Sequence, residues 1–262
     1  MGRDAARAGA EARRAAERAG VEARTIEDPL AVRAVAALFD ELWGVSGGEL
    51  FDHLLMALGL AGNYVAGAFA GGDVLVGASV GFAAVGERKE LHSHITGVLP
   101  SWQGSGIGTA LKLHQRAWAL ARGIDVISWT FDPLVRRNAV FNLRRLGAVV
   151  ERYLVDAYGP MKDAVNADQG SDRLLVAWWL AGDDAPAPAE HAPAPADGAG
   201  ARRASVATPA DVEALRRDDP EAARRWRLQV RSQLRPALDA GWRVIGLDED
   251  YAYVLEQPAS AP

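Results

Sequence analysis

The spacing of apolar and polar positions changes several times along the chain and predicts both helices and strands. Residues 21–26 alternate as a short strand. From Pro29 to Asn63 apolar residues recur every three or four positions in two successive segments, the second ending at a glycine-asparagine stop, which predicts two helices. Residues 63–86 then alternate around a Gly-Gly-Asp turn, the pattern of a β-hairpin.

The periodic pattern continues through the next hundred residues. It predicts a strand, a helix, a buried strand, a short helix and two final strands, at 89–100, 106–122, 124–131, 135–147, 148–159 and 172–180. The full order is therefore strand, two helices, hairpin, strand, helix, strand, helix and two strands. This order predicts an α/β fold with a mixed sheet and flanking helices.

Composition divides the chain into four segments. Residues 1–20 are rich in Ala, Arg and Glu and predict a peripheral helical extension, because alanine is nearly their only apolar residue. Residues 21–180 form the main domain. Residues 181–203 are an Ala/Pro-rich linker, and 204–262 predict a small helix-hairpin extension. That extension is too short to be stable alone, so it docks either on the main sheet or on a second copy of the chain, which leaves a homodimer open.

Charge and cysteine usage exclude several classes of protein. The net charge of -5 gives no general attraction to nucleic acid, and no stretch is apolar enough to predict a membrane span. The chain has no cysteine, which excludes thiolate chemistry and is typical of a reducing compartment, so a cytoplasmic protein is expected. Any bound polyanion must be held by a local feature.

One such feature is a glycine-rich segment between the strand at 89–100 and the helix at 106–122. A helix N-terminus offers unpaired N–H groups and partial positive charge, and glycine lets an anion approach the backbone. A Walker loop is disfavoured because Thr109 and Ala110 follow Gly108 where lysine is needed. The dinucleotide fingerprint also fails, since its third glycine is misplaced. A tight turn without a ligand stays an alternative.

The segment resembles the Gln/Arg-x-x-Gly-x-Gly/Ala pattern of the GNAT superfamily of acyl-CoA N-acyltransferases. Here the pattern runs from Gln103 to Gly108, directly after the fourth predicted strand. Four stretches resemble a bacterial subgroup of acetyl- and succinyltransferases associated with N-acylamino-acid racemases: LHSHITGVLPSWQGSGIGTALKLHQRAWALARGI, WTFDPLVRRNAVFNLRRLGA, YGPMKDAVNA and SDRLLVAW. The resemblance implies a GNAT fold with a splayed strand pair and acetyl-CoA or succinyl-CoA as co-substrate, without a metal.

The resemblance also implies roles for particular residues. The loop amides would hold the CoA pyrophosphate, at Gln103, Gly104, Ser105, Gly106, Ile107 and Gly108. Backbone N–H groups near Val98 and Leu99 would polarise the thioester carbonyl. Asn138 would contact the cofactor arm. Many relatives have a tyrosine that protonates the leaving thiolate, but this chain has Leu143 at that position, so Tyr158 is the substitute candidate.

The strand before the loop carries the candidate base for the acceptor amine. An α-amino group is roughly 90% protonated at pH 7 and must lose its proton to react. Strict alternation places Glu90, His92, His94 and Thr96 on one strand face, which suggests a proton relay. Two alternatives stay open: the histidines are buried pocket walls that do not titrate, or Glu90, His92 and His94 bind zinc.

These features predict an N-acyltransferase that moves an acetyl, succinyl or related acyl group to a small-molecule amine such as an amino acid, by direct attack in a ternary complex. A protein or peptide N-acetyltransferase is the alternative enzyme. A catalytically silent acyl-CoA-binding scaffold is the alternative from another class, motivated by the leucine at position 143.

Overall fold

The computed structural model describes residues 3–44, 48–159, 170–180 and 202–258. The chain divides into two compact units, Met1–Ser128 and Trp129–Pro262. Residues 181–201 of the predicted linker lie outside the described residues, as does most of the YGPMKDAVNA stretch. No helix in the described ranges is long and apolar enough to cross a membrane.

The first unit is a sheet with helices on both faces. Its elements are α1 (Arg3–Arg18), β1 (Glu22–Thr25), α2 (Pro29–Trp43), α3 (Gly48–Leu60), β2 (Tyr64–Ala70), β3 (Val74–Ala84), β4 (Glu90–Val98), α4 (Ile107–Leu120) and the first half of β5 (Val126–Phe131). The strand order is β1-β2-β3-β4-β5. The first four strands are antiparallel, whereas β4 and β5 run parallel. The predicted mixed α/β fold is confirmed.

Local sequence sets both ends of α2. The carboxylate of Asp28 accepts a hydrogen bond from the Ala31 N–H at 2.8 Å, and Pro29 fills the first helical position, where an N–H is not needed. Gly44 ends the helix in the left-handed conformation with φ 64°. The buried face of α2 then packs with α3 on one side of the sheet.

The other side of the sheet is covered by α1 and α4, which corrects the expectation of a peripheral first helix. Five alanines of α1, together with Ala19 just after it, form a buried stripe: Ala5, Ala8, Ala12, Ala15, Ala16 and Ala19. Ala15, Ala16 and Ala19 belong to one core cluster with Ile107 and Leu111 of α4. Small side chains allow two helices to pack closely, so alanine alone is a sufficient apolar face here. Arg116 of α4 also donates to Glu11 of α1 at 2.8 Å.

Gly97, near the end of β4, provides a test of packing against α2. A Cβ added at this position would lie 2.4 Å from Leu42 Cδ1 and 3.1 Å from Trp43 Cη2. We expect Gly97→Ala to lower the free energy of unfolding by about 1–3 kcal/mol, because the α2 side chains must shift. Gly59→Ala in α3 is the control, since its Cβ would meet nothing within 4 Å and alanine favours helix. Equal urea midpoints for the two variants would contradict this packing.

The second unit contains the remaining elements. They are the second half of β5, α5 (Arg136–Ala139) continued by a π-helical turn (Val140–Arg145), β6 (Val149–Leu154), β7 (Arg173–Trp179), β8 (Arg203–Val206), α6 (Val212–Asp218), α7 (Pro220–Asp239), β9 (Arg243–Leu247) and β10 (Tyr253–Glu256). Strand β7 lies between β5 and β6, and β8-β10-β9 form a separate antiparallel sheet. Strand β8 was not predicted, because four residues give too short an alternation.

Within this unit the C-terminal elements are joined to the strands by buried ion pairs. The carboxylate of Asp132, at the end of β5, contacts Arg216 of α6 and accepts from Arg227 of α7 at 2.7 Å. Asp172, before β7, accepts from Arg231 of α7 at 2.6 Å. Burial raises the pKa of Asp132, but the neighbouring arginines outweigh burial and hold that pKa below its usual value. The C-terminal segment is therefore an integral part of the second unit.

Candidate active site

The glycine-rich segment forms a tight turn between β4 and α4. A 3₁₀ turn at Pro100–Trp102 follows β4, and α4 begins at Ile107. Gly104 and Gly106 have φ values of 80° and 93°, in the left-handed region that side-chain-bearing residues avoid. Two side chains brace the turn from within: Gln103 Nε2 donates to the Val98 carbonyl at 3.1 Å, and Ser105 Oγ donates to the Trp102 carbonyl at 2.6 Å.

The start of α4 has the geometry of an anion cradle. The first N–H bonded in the α-helical pattern is that of Ala110, which donates to the Gly106 carbonyl at 3.0 Å. The N–H groups of Ile107, Gly108 and Thr109 therefore lie in the unpaired first turn. A Cβ added at Gly104 or Gly108 would meet nothing within 4 Å, so the backbone there is open to a bulky ligand. An anion held here is stabilised by N–H donors and by the helix dipole.

The second half of β4 has an open edge within the first unit. Strand β5 pairs with β4 only at Glu90–His92, whereas β3 pairs with β4 along its whole length; in the described part of this unit, residues 93–98 have β3 as their one strand partner. Leu99 donates its N–H to the Val76 carbonyl of β3 at 3.0 Å. Because bonding alternates along an antiparallel ladder, the N–H of Val98 points away from β3. Val98 therefore offers a donor at the open edge, whereas Leu99 does not.

A β-bulge at His94 changes which side chains share a face of β4. Val80 pairs with Ile95 but Gly81 pairs with Ser93, so His94 is the extra residue. The rings of His92 and His94 lie 5.3 and 5.8 Å from that of Phe82, and 6.2 Å from each other.

Beyond the bulge the alternation is reversed. Ile95 packs in the core cluster of α2 and α3. Thr96 instead contacts Ser79 at 2.8 Å, on the side of the sheet where Gln115 of α4 reaches Ser79. The prediction that Thr96 shares a face with the two histidines is therefore wrong, because the bulge adds one residue between them.

Both histidines favour the neutral form. Burial lowers the pKa of His92, with a further lowering from His94. Burial also lowers the pKa of His94. A neutral imidazole at pH 7 is able to accept a proton. Glu90 forms an ion pair with Arg88 at 2.9 Å, and His92 Nδ1 lies 3.3 Å from Ser128 Oγ on β5. Across the described residues, no group of three or more His, Asp or Glu side chains is arranged to hold a metal ion.

A buried lysine lies behind β4, on the α4 side of the sheet. Lys112 Nζ donates to Ser93 Oγ at 2.8 Å and to Gln115 Oε1 at 3.2 Å. Burial lowers the pKa of Lys112 to about 7. The sequence pattern did not single out this residue, because a lysine in an amphipathic helix is ordinarily assigned to the solvent face.

The shifted pKa of Lys112 predicts a pH-dependent stability. Between pH 7 and 10.5 the unfolded chain binds a proton at this lysine that the folded chain does not, so stability rises with pH across this window. We expect Lys112→Met to raise the free energy of unfolding by a few kcal/mol below pH 7, and the gain to disappear towards pH 10.5. Urea unfolding of the unmodified protein and of Lys112→Met at each pH measures this difference in the free energy of unfolding. A difference that does not vary with pH would contradict the assignment of this shift.

The remaining predicted residues lie in the second unit. Tyr158 is 45% exposed, and its hydroxyl lies 2.8 Å from Thr130 Oγ1. Asn138 is half-buried in α5 and donates its N–H to the Val135 carbonyl at 3.0 Å. Leu143, at the position where many relatives have tyrosine, is a buried apolar side chain.

The fold and the loop together define a class: mixed α/β proteins in which a glycine-rich turn and a helix N-terminus follow the fourth strand. Residues 4–132 match the model of the family described as "Acetyltransferase (GNAT) domain". This match covers just under half of the chain and identifies residues 4–132 as an acetyltransferase domain of the GNAT type, which is an enzyme domain. No curated protein matches the chain.

Solved structures of low sequence identity share the fold. The yncA protein of Salmonella typhimurium, solved with its cofactor acetyl-CoA, has 16% identity and a TM-score of 0.51, over 64% of this chain and 98% of that one. An N-acetyltransferase from Staphylococcus aureus Mu50 has 11% identity and a TM-score of 0.50, over 62% and 99%. An aminoglycoside 6'-acetyltransferase type Ii has 17% identity and a TM-score of 0.50, over 62% and 98%.

Proposed function

We propose that this GNAT acetyltransferase moves an acetyl, succinyl or related acyl group from CoA to the amine of a small molecule such as an amino acid, by direct attack in a ternary complex. The observation that carries the proposal is the open edge of β4, which leads from the neutral histidine pair to the anion cradle at the start of α4. Acyl donor, acceptor base and phosphate cradle would thus lie along one strand and the turn that follows it.

The cradle would hold the pyrophosphate through the backbone N–H groups that start α4. Gly104 leaves space for the phosphate oxygens, and Gln103 and Ser105 keep the turn in shape. The N–H of Val98 would donate to the thioester oxygen and stabilise the negative charge that develops there. Leu99 has no part in this step, because its N–H is already donated to β3.

The acceptor amine would lose its proton to the strand face that carries Glu90, His92 and His94. The neutral amine nitrogen then attacks the thioester carbon. As the tetrahedral intermediate collapses, the C–S bond breaks and the nitrogen releases its second proton to solvent, which leaves a neutral amide. The sulfur takes the electron pair as thiolate, a tolerable leaving group because a thiol has a pKa of about 8.5. Tyr158 would supply a proton to the thiolate, and Asn138 would contact the cofactor arm.

The acyl group and the acceptor are tested together by thiol release. Acetyl-CoA and succinyl-CoA are each offered with a panel of amino acids and with short peptides carrying a free N-terminus or a lysine. Turnover with amino acids and weak or no turnover with peptides would support the proposal, whereas preference for peptides would favour the protein N-acetyltransferase. Absence of turnover with any acceptor, in spite of CoA binding, would favour a silent scaffold.

We further infer a cytoplasmic location, on the absence of cysteine. We also propose that the chain forms a homodimer, which sedimentation velocity would test.

A further inference from the structure

Lys112 occupies a position where a lysine is costly. Its side chain is 5% exposed and lies on the face of α4 that also buries Ile107 and Leu111. An ammonium group loses favourable hydration when it is buried, and an apolar residue of similar length such as methionine fills the same space without that cost. A buried ionisable group of this kind, next to a candidate active site, indicates a role other than packing.

The contacts of Lys112 connect α4 to β4 on both sides of the bulge. Its Nζ donates to Ser93, the residue between the two histidines and immediately before the bulge. It also donates to Gln115, whose amide reaches Ser79 at 3.5 Å, and Ser79 contacts Thr96 at 2.8 Å. The hydrogen-bond network therefore contacts β4 immediately before the bulge, at Ser93, and two residues after it, at Thr96.

The charge of Lys112 acts on His92 through the strand. The groups whose charges act on the His92 ring are His94 and Glu90 on β4 itself and Lys112 on α4; the β3 and β5 neighbours, Phe82 and Ser128, are uncharged. Burial lowers the pKa of His92 most, His94 lowers it further, Glu90 raises it, and Lys112 adds a smaller lowering. Because Lys112 titrates near pH 7, it is charged over the acidic range in which His92 would take up a proton.

We propose that Lys112 is a positioning residue that holds the bulged segment of β4 through Ser93 and whose charge disfavours protonation of the His92 ring, which is to accept the proton of the acceptor amine. This inference rests on the proposed function for the part that concerns the amine. Helix α4 would then have two roles. Its first turn would bind the phosphates, and its second turn would hold the Lys112 cation on the opposite side of β4 from His92.

The test is an NMR titration of the histidine rings in the full chain, with His92 assigned from a His92→Gln variant. In Lys112→Met we expect the midpoint of the His92 titration to move to higher pH. Arg116→Met is the matched control: it removes a cation from the same helix at a position that pairs with Glu11 of α1, and the His92 midpoint is expected to stay in place. Lys112→Gln, which keeps a donor for Ser93 without the charge, serves as the second variant if Lys112→Met does not fold.

Turnover gives the second readout. The acid limb of the kcat/KM profile in Lys112→Met is expected to move in the same direction, with at least a twofold loss at pH 6 and little change at pH 8. An unchanged His92 midpoint in both Lys112 variants would overturn the inference. A moved midpoint with an unmoved pH–rate profile would support the coupling of Lys112 to His92 and overturn the role of His92 as the base, so the two failures are distinguishable.

Discussion

Replacing Glu90 with Gln, and His92 and His94 with Ala, in one triple variant is expected to lower kcat about 1000-fold, because general base catalysis contributes factors of about 10²–10⁴. The affinity for CoA is expected to change little, since the cradle lies in the turn after β4 and not on the histidine face. Steady-state thiol release measures kcat, and calorimetry with CoA measures the affinity.

The pH profile of turnover by the unmodified enzyme also tests the role of the histidines as the base. The pKa values of His92 and His94 are lowered from 6.5, so both rings stay neutral at pH values where an ordinary histidine would be protonated. We therefore expect turnover to stay constant as the pH falls into that range.

His53→Ala is the control for the triple variant, since His53 is an exposed histidine on α3. Turnover by the triple variant within tenfold of the unmodified enzyme would show that these side chains are only pocket walls.

Gly106→Asp is expected to weaken CoA binding roughly 100-fold or more. A Cβ added at Gly106 would lie 3.8 Å from Ala19 Cβ, and a carboxylate there would bring a negative charge to the helix start that is proposed to hold the pyrophosphate. Like charges about 4 Å apart near a protein surface repel by about 4 kcal/mol. Asn and Asp are the residues that best tolerate the left-handed conformation of Gly106, which has φ 93°, so the backbone cost is kept small. Calorimetric titration with CoA gives the dissociation constants.

Three matched variants separate charge from backbone effects. Gly106→Asn has the same shape as the aspartate without its charge and should lose much less affinity. Gly123→Asp introduces the same residue at another left-handed glycine, φ 69°, after the end of α4 and should bind CoA normally. Gly108→Ala should also bind normally, because its Cβ meets no protein atom within 4 Å and the GNAT pattern accepts alanine there. Equal affinities of Gly106→Asp and Gly106→Asn would mean that no anion lies at the turn.

The elements that the sequence predicts well are those with long periodic patterns or strong end signals. Helix α2, with Pro29 at its start and Gly44 at its end, and the hairpin of β2 and β3 follow from local pattern alone. The turn from Gln103 to Gly108 is equally local, because its left-handed glycines and the helix start are neighbours in sequence.

Features that depend on distant neighbours could not be predicted in this way. The bulge at His94 arises from the register between β3 and β4, and no residue in the LHSHIT stretch marks it. The buried alanine stripe of α1 depends on a partner about a hundred residues away in α4. The burial of Lys112 depends on the hydroxyl of Ser93 across the sheet, and the availability of Val98 rather than Leu99 depends on the pairing with Val76.

A crystal structure of the full chain with acetyl-CoA would show where the cofactor binds relative to β4 and α4. We expect the pyrophosphate oxygens to accept hydrogen bonds from the backbone N–H groups at the start of α4. We also expect the thioester oxygen to lie within hydrogen-bond distance of the Val98 N–H, and the acetyl carbon to face His92 and His94. Pyrophosphate bound anywhere other than at the turn from Gln103 to Gly108, or a thioester away from the open edge of β4, would contradict the proposed function.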